Sequence, residues 1–98
     1  MYYQGNELRI SEFEWDEGNV LHLALGHGIE PEEAEEVFAF GPIYRRTKQG
    51  HYAVFGPTES GRLLAIVFER KPKGLVRVIT GWDMNVAERR YYQRHRGR

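Results

Sequence analysis

The first clear pattern lies at residues 10–29, where an alternation of apolar and polar positions gives way to helical spacing. The alternation favours a short strand before Asp16, whose carboxylate suits the cap position at the start of a helix. Gly28 is predicted to end this helix in a left-handed conformation, with Ile29 packing back onto its last turns. Apolar residues between these ends form a broad face at helical spacing. They are Val20, Leu21, Leu23, Ala24 and Leu25.

A second helix is predicted to begin at Pro31, because proline suits the first helical position, where no N–H is needed. Ala34, Val37 and Phe38 have the spacing of a stripe that faces the core. Four glutamates cover the opposite side, as either a solvated face or a docking surface for a basic partner. They are Glu32, Glu33, Glu35 and Glu36.

Strands dominate the pattern after Gly41-Pro42. Residues 43–48 and 51–55 flank Gln49-Gly50, and this arrangement predicts a β-hairpin with a two-residue loop. The glycine-rich stretch at 56–61 is predicted to be the next hairpin loop, because it lacks the Lys-Ser/Thr pair of a phosphate-binding loop.

Two further strands are predicted to form the centre of the sheet. Residues 63–68 are apolar on both faces, which favours a strand that is covered on both sides. Residues 75–82 form a second core strand that Arg77 interrupts. This arginine either reaches solvent along its stem or points into a polar site.

The last predicted element is a helix whose start has the form of a capping box. Asn85 and Glu88 are spaced so that each side chain can satisfy a free backbone amide of the first turn. Ala87 and Tyr91 are the expected inner contacts of this helix.

The order of predicted elements is strand, helix, helix, four strands and helix. Helices grouped around a mostly antiparallel meander give an α+β fold. The 98 residues, of which 41% are hydrophobic, suit one domain with one core, assigned to residues 1–98. Residues 1–9 and 94–98 are expected to be flexible ends. No apolar run reaches the roughly 18 residues of a membrane span. With no signal peptide recognised and no cysteine, a cytoplasmic location without membrane contact is expected.

Charge adds a further feature, because the two halves of the chain differ in sign. Residues 1–50 hold ten acidic and four basic side chains, whereas residues 51–98 hold four acidic and ten basic ones. The halves can build a molecule with one acidic and one basic side, the latter suited to RNA or an acidic partner. Equally, the two halves can neutralise each other across the fold.

The histidines and the absence of familiar motifs narrow the enzyme classes. The chain has no metalloprotease, serine-hydrolase or nucleotide-binding fingerprint. His22 and His27 are five residues apart, which is not one stripe of a helix, so they are poor partners for a shared metal. Each is interpreted either as a helix-surface side chain or as a ligand or catalytic group. No metal site and no cofactor are therefore predicted.

A series of short motifs runs through both halves of the chain. They are Glu14-Trp15-Asp16, Asn19, His22, His27-Gly28 and residues 31–38 in the first half, and residues 61–64, residues 77–80, Asp83-Met84 and residues 88–91 in the second. In this order they resemble the BrnT-type toxin family, and the resemblance covers about residues 12–93.

The resemblance implies a RelE-like α/β fold and the activity of a ribonuclease, the toxin half of a type II toxin–antitoxin pair. The expected partners are an RNA substrate and a small ribbon–helix–helix antitoxin, with DNA contacted only through the antitoxin. A homodimer is a further expectation. We expect the antitoxin to cover the basic strands and the last helix, because an acidic segment can occupy the surface that RNA would use.

RNA cleavage without a metal needs a base for the 2′-hydroxyl proton, an acid for the leaving oxygen and cations for the charged phosphate. With the resemblance, we assign His51 as general acid or base, Arg46 as phosphate binder and Arg77 as charge stabiliser. Activity in EDTA is expected for such a mechanism. Further side chains are predicted to bind RNA, although lysine and arginine on edge strands also prevent sheet-to-sheet association. These are Arg45, Lys48, Arg62, Trp82, Arg89 and Arg90.

Departures from the family pattern support a second hypothesis. Asn19 and Gly26 stand where many relatives have lysine, and Gly81-Trp82 stands where many have Ala-Arg. Trp82 can stack on a base, since every base has a π-face, or can be a core or interface residue. The alternative is therefore a catalytically inactive module that binds protein or RNA on the same fold, because fold resemblance alone does not carry function.

Overall fold

The computed structural model describes residues 9–47 and 49–96 of the chain, and these form one five-stranded sheet with three α-helices. The predicted order of strand, helix, helix, four strands and helix is confirmed. In chain order the elements are β1 (Glu12–Glu14), α1 (Glu17–His27), α2 (Pro31–Ala39), β2 (Ile43–Arg46), β3 (Tyr52–Pro57), β4 (Leu63–Lys71), β5 (Leu75–Asp83) and α3 (Val86–His95). A 3₁₀ turn at Pro72–Gly74 joins β4 to β5. None of the described helices has the length and apolar character needed to cross a membrane.

Most of the two expected flexible ends lies outside the described residues. Of these ends, the residues outside the described part are 1–8 and 97–98. Within the predicted flexible C-terminal end, Arg94 and His95 instead belong to the last turn of α3.

The sheet has the strand order β1-β5-β4-β3-β2, so β4 lies at its centre. β1 pairs with β5 in parallel and the other neighbours are antiparallel, which confirms the predicted α+β meander. Helices α1 and α2 cover one face of the sheet, the α1/α2 face, and α3 covers part of the other, the α3 face. Along β4, Leu64, Ile66 and Phe68 lie in the core under α1 and α2, whereas Ala65 lies in the core under α3. The prediction of a strand covered on both sides is therefore confirmed.

Both ends of α1 follow the local signals of the sequence. Asp16 and Asn19 form a reciprocal capping box, in which the Asp16 carboxylate accepts from the backbone N–H of Asn19 at 3.1 Å. Gly28 ends the helix with a φ of 64°, and the N–H of Ile29 donates to the carbonyl of Leu23 at 3.0 Å. The predicted start and end of this helix are confirmed.

The predicted broad apolar face of α1 is wrong, because only a narrow stripe of the helix meets the core. Leu23 is fully buried, but Leu21 and Leu25 are 45% and 82% exposed. The helix packs against β5, and there the buried side-chain amide of Asn19 donates to the backbone carbonyl of Val78 at 3.0 Å. A polar anchor to the strand therefore replaces part of the expected apolar contact.

The hairpin of β2 and β3 is confirmed, but its loop is longer than predicted. The strands pair as far as Arg46 and Tyr52, and the N–H of Thr47 then donates to the carbonyl of His51 at 2.9 Å. The paired strands therefore end before the predicted bounds, at Arg46 and Tyr52, and Gly50 in the described part of the loop has a φ of 78°. Glycine is common at such left-handed positions of hairpin loops.

The capping box at the start of α3 is confirmed, with Asn85 and Glu88 satisfying each other's backbone N–H groups. Tyr91 packs at the margin of the core under α3, as predicted. The prediction for Ala87 is wrong, since it is exposed and Tyr92 is the buried contact. An α-helix turns by about 100° per residue, so an inner stripe centred on Tyr92 leaves Ala87 on the solvent side.

Candidate functional site

A groove of about 430 Å³ lies on the α3 face, where α3 leaves part of the sheet uncovered. Its floor crosses β3 and β4 and is apolar, and Arg45 on β2 and Trp82 on β5 stand at its two ends. The groove therefore spans the sheet from the hairpin to β5. We call it the sheet groove, and its lining residues are Arg45, Arg46, Thr47, Ala53, Phe55, Val67 and Trp82.

Two consecutive arginines of β2 lie at the hairpin end of the sheet groove, and their side chains leave the sheet on opposite faces. The guanidinium carbon of Arg45 lies 4.9 Å from the ring centre of Tyr91 on α3. The guanidinium carbon of Arg46 lies 5.8 Å from the ring centre of Tyr52, its partner across the hairpin. Both arginines are exposed, and such cation–π contacts restrain a guanidinium without neutralising it. Both groups can therefore bind an anion, Arg45 on the α3 face in the sheet groove and Arg46 on the α1/α2 face beside Tyr52.

Trp82 marks the other end of the sheet groove and has a fixed orientation. Its indole N–H donates to the two carboxylate oxygens of Glu88 at 3.0 and 3.2 Å. The side chain is half-buried and packs at the margin of the core under α3. It therefore contributes to the packing of α3 and to the lining of the groove at once.

Arg62, a predicted RNA-binding residue, is the centre of an internal clamp. Its guanidinium donates to the two oxygens of Asp83 at 2.8 and 3.1 Å and to Glu33 at 3.1 Å. It also donates to the carbonyls of His27 and Gly28, at 3.2 and 2.9 Å, where α1 ends. The hydrogen bond to Asp83, before the other contacts, raises the pKa of Arg62 above its ordinary range. Arg62 therefore ties the end of α1 to α2 and β5.

Of the two alternatives for Arg77, the polar site is the one observed. The guanidinium donates to Asp16 at 2.8 Å and lies 3.5 Å from Glu14, which also pairs with Lys71 at 2.8 Å. These contacts hold the pKa of both carboxyl groups below their usual range, chiefly through Arg77 at Asp16 and through Lys71 at Glu14. The network joins β1 and the start of α1 to β4 and β5.

We expect the protein to lose stability in acid as this network is protonated. The pKa values of Glu14 and Asp16 are lowered in the folded state, so the unfolded state takes up more protons as the pH falls. Their contribution is complete above the ordinary carboxylate pKa of about 4 and is lost as pH falls through the lower folded-state values. Urea unfolding between about pH 7 and about pH 3 measures this loss.

The matched variant for the acid measurement is Arg77→Gln, which removes the cation from both ion pairs. The free energy of unfolding of this variant should depend less steeply on pH over the same interval, because Asp16 loses its main partner. An identical pH dependence in the two proteins would contradict a stabilising role of the network.

The structure does not bring the three predicted catalytic residues together. Arg46 lies on β2 and Arg77 on β5, and the two intervening strands separate them by about 14 Å. His51 lies at the hairpin turn, where its carbonyl accepts from the N–H and the hydroxyl of Thr47 at 2.9 and 3.0 Å. Its imidazole has no hydrogen bond or ion pair with any other described residue. Arg46 and His51 therefore share the hairpin, and Arg77 belongs to a different site.

The remaining residues that were predicted to bind RNA lie away from the sheet groove or outside the described part. Arg89 and Arg90 are exposed on α3, and the Arg89 guanidinium donates to the carbonyl of Met84 at 3.0 Å. Lys48 lies outside the described residues.

His22 and His27 are brought together, although their spacing on α1 suggested separate positions. Their ring centres are 5.4 Å apart, and the Nε2 atoms lie 2.9 and 3.4 Å from the hydroxyl oxygen of Thr80. No local pattern predicts this cluster, because Thr80 follows the histidines by 58 and 53 positions and only packing brings it near. Within 9–47 and 49–96, no three or more His, Cys, Asp or Glu side chains are arranged to hold a metal ion.

The fold is similar to that of a solved ribonuclease toxin. The 1.1 Å crystal structure of the Brucella abortus toxin BrnT matches with a TM-score of 0.64 and 17% sequence identity. The match covers 76% of this chain and 96% of that chain, so the predicted BrnT-like, RelE-like fold is confirmed. No family model and no curated protein matches the sequence.

Proposed function

We propose that the protein is an endoribonuclease that binds RNA in the sheet groove. The observation that carries the proposal is that Arg45 and Trp82, both predicted to bind RNA, line one groove on an open sheet face. A guanidinium group binds phosphate through two parallel hydrogen bonds, and an indole ring can stack on any base. The likeness in fold to a ribonuclease toxin supports the same assignment.

In this proposal Arg45 binds a phosphate group in the sheet groove and Trp82 stacks on a base. Arg46, which stacks on Tyr52 on the α1/α2 face, adds positive charge at the hairpin edge. Arg62 and Arg77 act on the fold rather than on RNA, because their guanidinium groups are engaged in ion pairs. His51 lies on the same hairpin as Arg46, and its assignment as the proton-transfer group stays a prediction.

We also propose that a small ribbon–helix–helix antitoxin inhibits the protein by covering the sheet groove. Arg45 is exposed there, and an acidic segment of the partner can occupy the position of the RNA phosphate. A structure of the complex tests this placement. A partner that contacts only the outer side of α2 and leaves the groove open would contradict it.

A non-enzymatic module that binds RNA in the same groove is the second candidate. One observation favours it, since the three predicted catalytic residues do not meet at one site. Such a module binds RNA without turnover, so incubation of the purified protein with labelled RNA discriminates between the two functions.

The binding surface is tested with Arg45→Gln and a short single-stranded RNA. We expect weaker binding and a plot of log affinity against log salt that is less steep by about 0.7, because one phosphate contact is lost. The matched control is Lys73→Gln, which removes the same charge from an exposed turn outside the groove. Fluorescence anisotropy at several salt concentrations measures both quantities.

Two outcomes would redirect the proposal. Equal losses of affinity in Arg45→Gln and Lys73→Gln would mean that RNA responds to net charge alone, which contradicts binding in the groove. Binding that is specific to Arg45 but is accompanied by no cleavage would favour the non-enzymatic module.

A further inference from the structure

Thr80 connects the histidine pair to the sheet groove. Val78 faces the core under α1 and α2, but a register shift between β4 and β5 reverses the alternation beyond it. Gly81 faces that core instead, since a Cβ atom there would lie 2.6 Å from Cδ1 of Ile66. Its neighbour Thr80 therefore points to the α3 face, directly across from Val67, which lines the sheet groove.

The histidines reach Thr80 from α1, which lies beside β5 beyond the end of β1. The parallel pairing of β1 ends at Glu14, opposite Arg77, and α1 packs against β5 from there on. His22 is exposed and His27 is half-buried, and both Nε2 atoms converge on the Thr80 hydroxyl. The pair therefore stands at the β5 border of the groove, within reach of RNA that lies across the sheet.

His27 is held from two directions. Arg62 donates to its backbone carbonyl at 3.2 Å, and the ring contacts Thr80. Fixed positions matter because an acid–base group must meet its proton within hydrogen-bond distance, and small displacements cost much of the rate. The imidazole of His51 has no comparable contact with the described residues.

We infer that His22 and His27 form the proton-transfer pair of RNA cleavage, with Thr80 as a positioning residue; this rests on the proposed ribonuclease function. The neutral ring takes the proton of the RNA 2′-hydroxyl as its oxygen attacks phosphorus. The protonated ring gives its proton to the 5′-oxygen as the P–O5′ bond breaks. The products are a 2′,3′-cyclic phosphate and a 5′-hydroxyl, and proton exchange with water restores both rings.

His51 lies in a different part of the sheet from this pair. His51 lies two residues before Ala53 of β3. Ala53 pairs with Val67 of β4, and Val67 pairs with Thr80 of β5. Two strand spacings and two residues along the strand separate His51 from Thr80 by roughly 12 Å. The two assignments therefore place proton transfer in different parts of the sheet and can be tested against each other.

The experiment compares cleavage of one labelled RNA by the wild type, His22→Gln, His27→Gln and His51→Gln. We expect the first two variants to cleave on the order of a hundred- to ten-thousand-fold more slowly, the usual cost of losing an acid–base group. Their affinity for an RNA that cannot be cleaved, and their circular dichroism spectra, should match the wild type. The control is Leu25→Gln on the same helix, at a side chain that is 82% exposed, which should cleave at the wild-type rate.

Thr80 is tested with a readout that a purely structural role would not change. Thr80→Val keeps the shape of the side chain and removes the hydroxyl that both rings contact. We expect kcat to fall while KM stays constant, and Thr80→Ser to restore kcat because it returns the hydroxyl. A loss of activity in Thr80→Ser equal to that in Thr80→Val would contradict the positioning role.

The outcomes separate this inference from the proposed function. If the wild type cleaves RNA and both His22→Gln and His27→Gln cleave at its rate, the inference is overturned and the proposed function stands. The same holds if only His51→Gln is inactive. If the wild type cleaves no RNA, the proposed function fails and the inference fails with it.

Discussion

Replacing Phe68 with alanine is expected to lower the free energy of unfolding by about 3–5 kcal/mol, the usual cost of removing a buried aromatic ring. The side chain is fully buried, and its ring centre lies 5.0 Å from that of Phe38, 6.1 Å from that of Tyr44 and 5.8 Å from that of Tyr52. These rings belong to α2, β2 and β3, so the cavity would loosen both the helix and the hairpin that carries Arg46. A native domain has roughly 5–15 kcal/mol of stability in total, so a large share would be lost.

Urea unfolding followed by circular dichroism measures this loss. The control is Leu25→Ala, which truncates a side chain that is 82% exposed and should change the stability by no more than about 0.5 kcal/mol. A loss below about 1 kcal/mol in Phe68→Ala would mean that the core collapses into the vacated space, contrary to the packing described. If the variant is unfolded without urea, its thermal transition in a stabilising osmolyte gives the comparison.

RNA that lacks the 2′-hydroxyl beside the cleaved bond is expected to bind normally and to resist cleavage completely. The oxygen of this group is the nucleophile in the proposed reaction. Removing it therefore stops the first step altogether, whereas removing a histidine only slows the proton transfer that assists this step. The phosphates and bases that Arg45 and Trp82 are proposed to contact remain in place. The effect should therefore appear in the cleavage rate and not in the affinity.

The measurement first locates the main cleaved bond in a labelled RNA and then places one 2′-deoxynucleotide on its 5′ side. The same change two nucleotides away is the control and should leave cleavage at the original bond unaffected. Cleavage should also continue in EDTA, since a 2′-hydroxyl mechanism has no requirement for a metal. Hydrolysis of the deoxy-substituted bond at the original rate would exclude the mechanism, although RNA binding in the groove would still stand.

Much of the fold could be predicted because its signals are local. The caps at Asp16 and Asn85 depend on residues three positions away, and the end of α1 depends on the left-handed freedom of Gly28. The apolar run at 63–68 marked the central strand, because a strand with no polar face has to be covered on both sides. Errors at Leu21 and Leu25 arose because apolar spacing describes a helix face but not how much of it a neighbour covers.

The candidate site could be predicted only in part. Arg45 was recognised as an RNA-binding candidate from residue type and from the family resemblance, and Trp82 from residue type although it departs from the family pattern; the structure places both on the sheet groove. Arg62 and Arg77 carried the same charge signal but lie in ion pairs with acidic residues up to 63 positions away. Charge can be counted along a chain, but the partner of each charge is decided by strand register and helix docking.

By itself, the sequence determined which segments form helices and strands and where most of them end, because these depend on interactions within one or two turns. Only the tertiary structure decided which side chains meet across β5. Simple alternation from Val78 would place Thr80 on the α1/α2 face. The register shift between Val67 and Phe68 turns Thr80 to the α3 face instead, toward the sheet groove and the two histidines. A shift of one residue reverses every following side chain in a strand, and it results from how two distant strands pack and not from a local pattern.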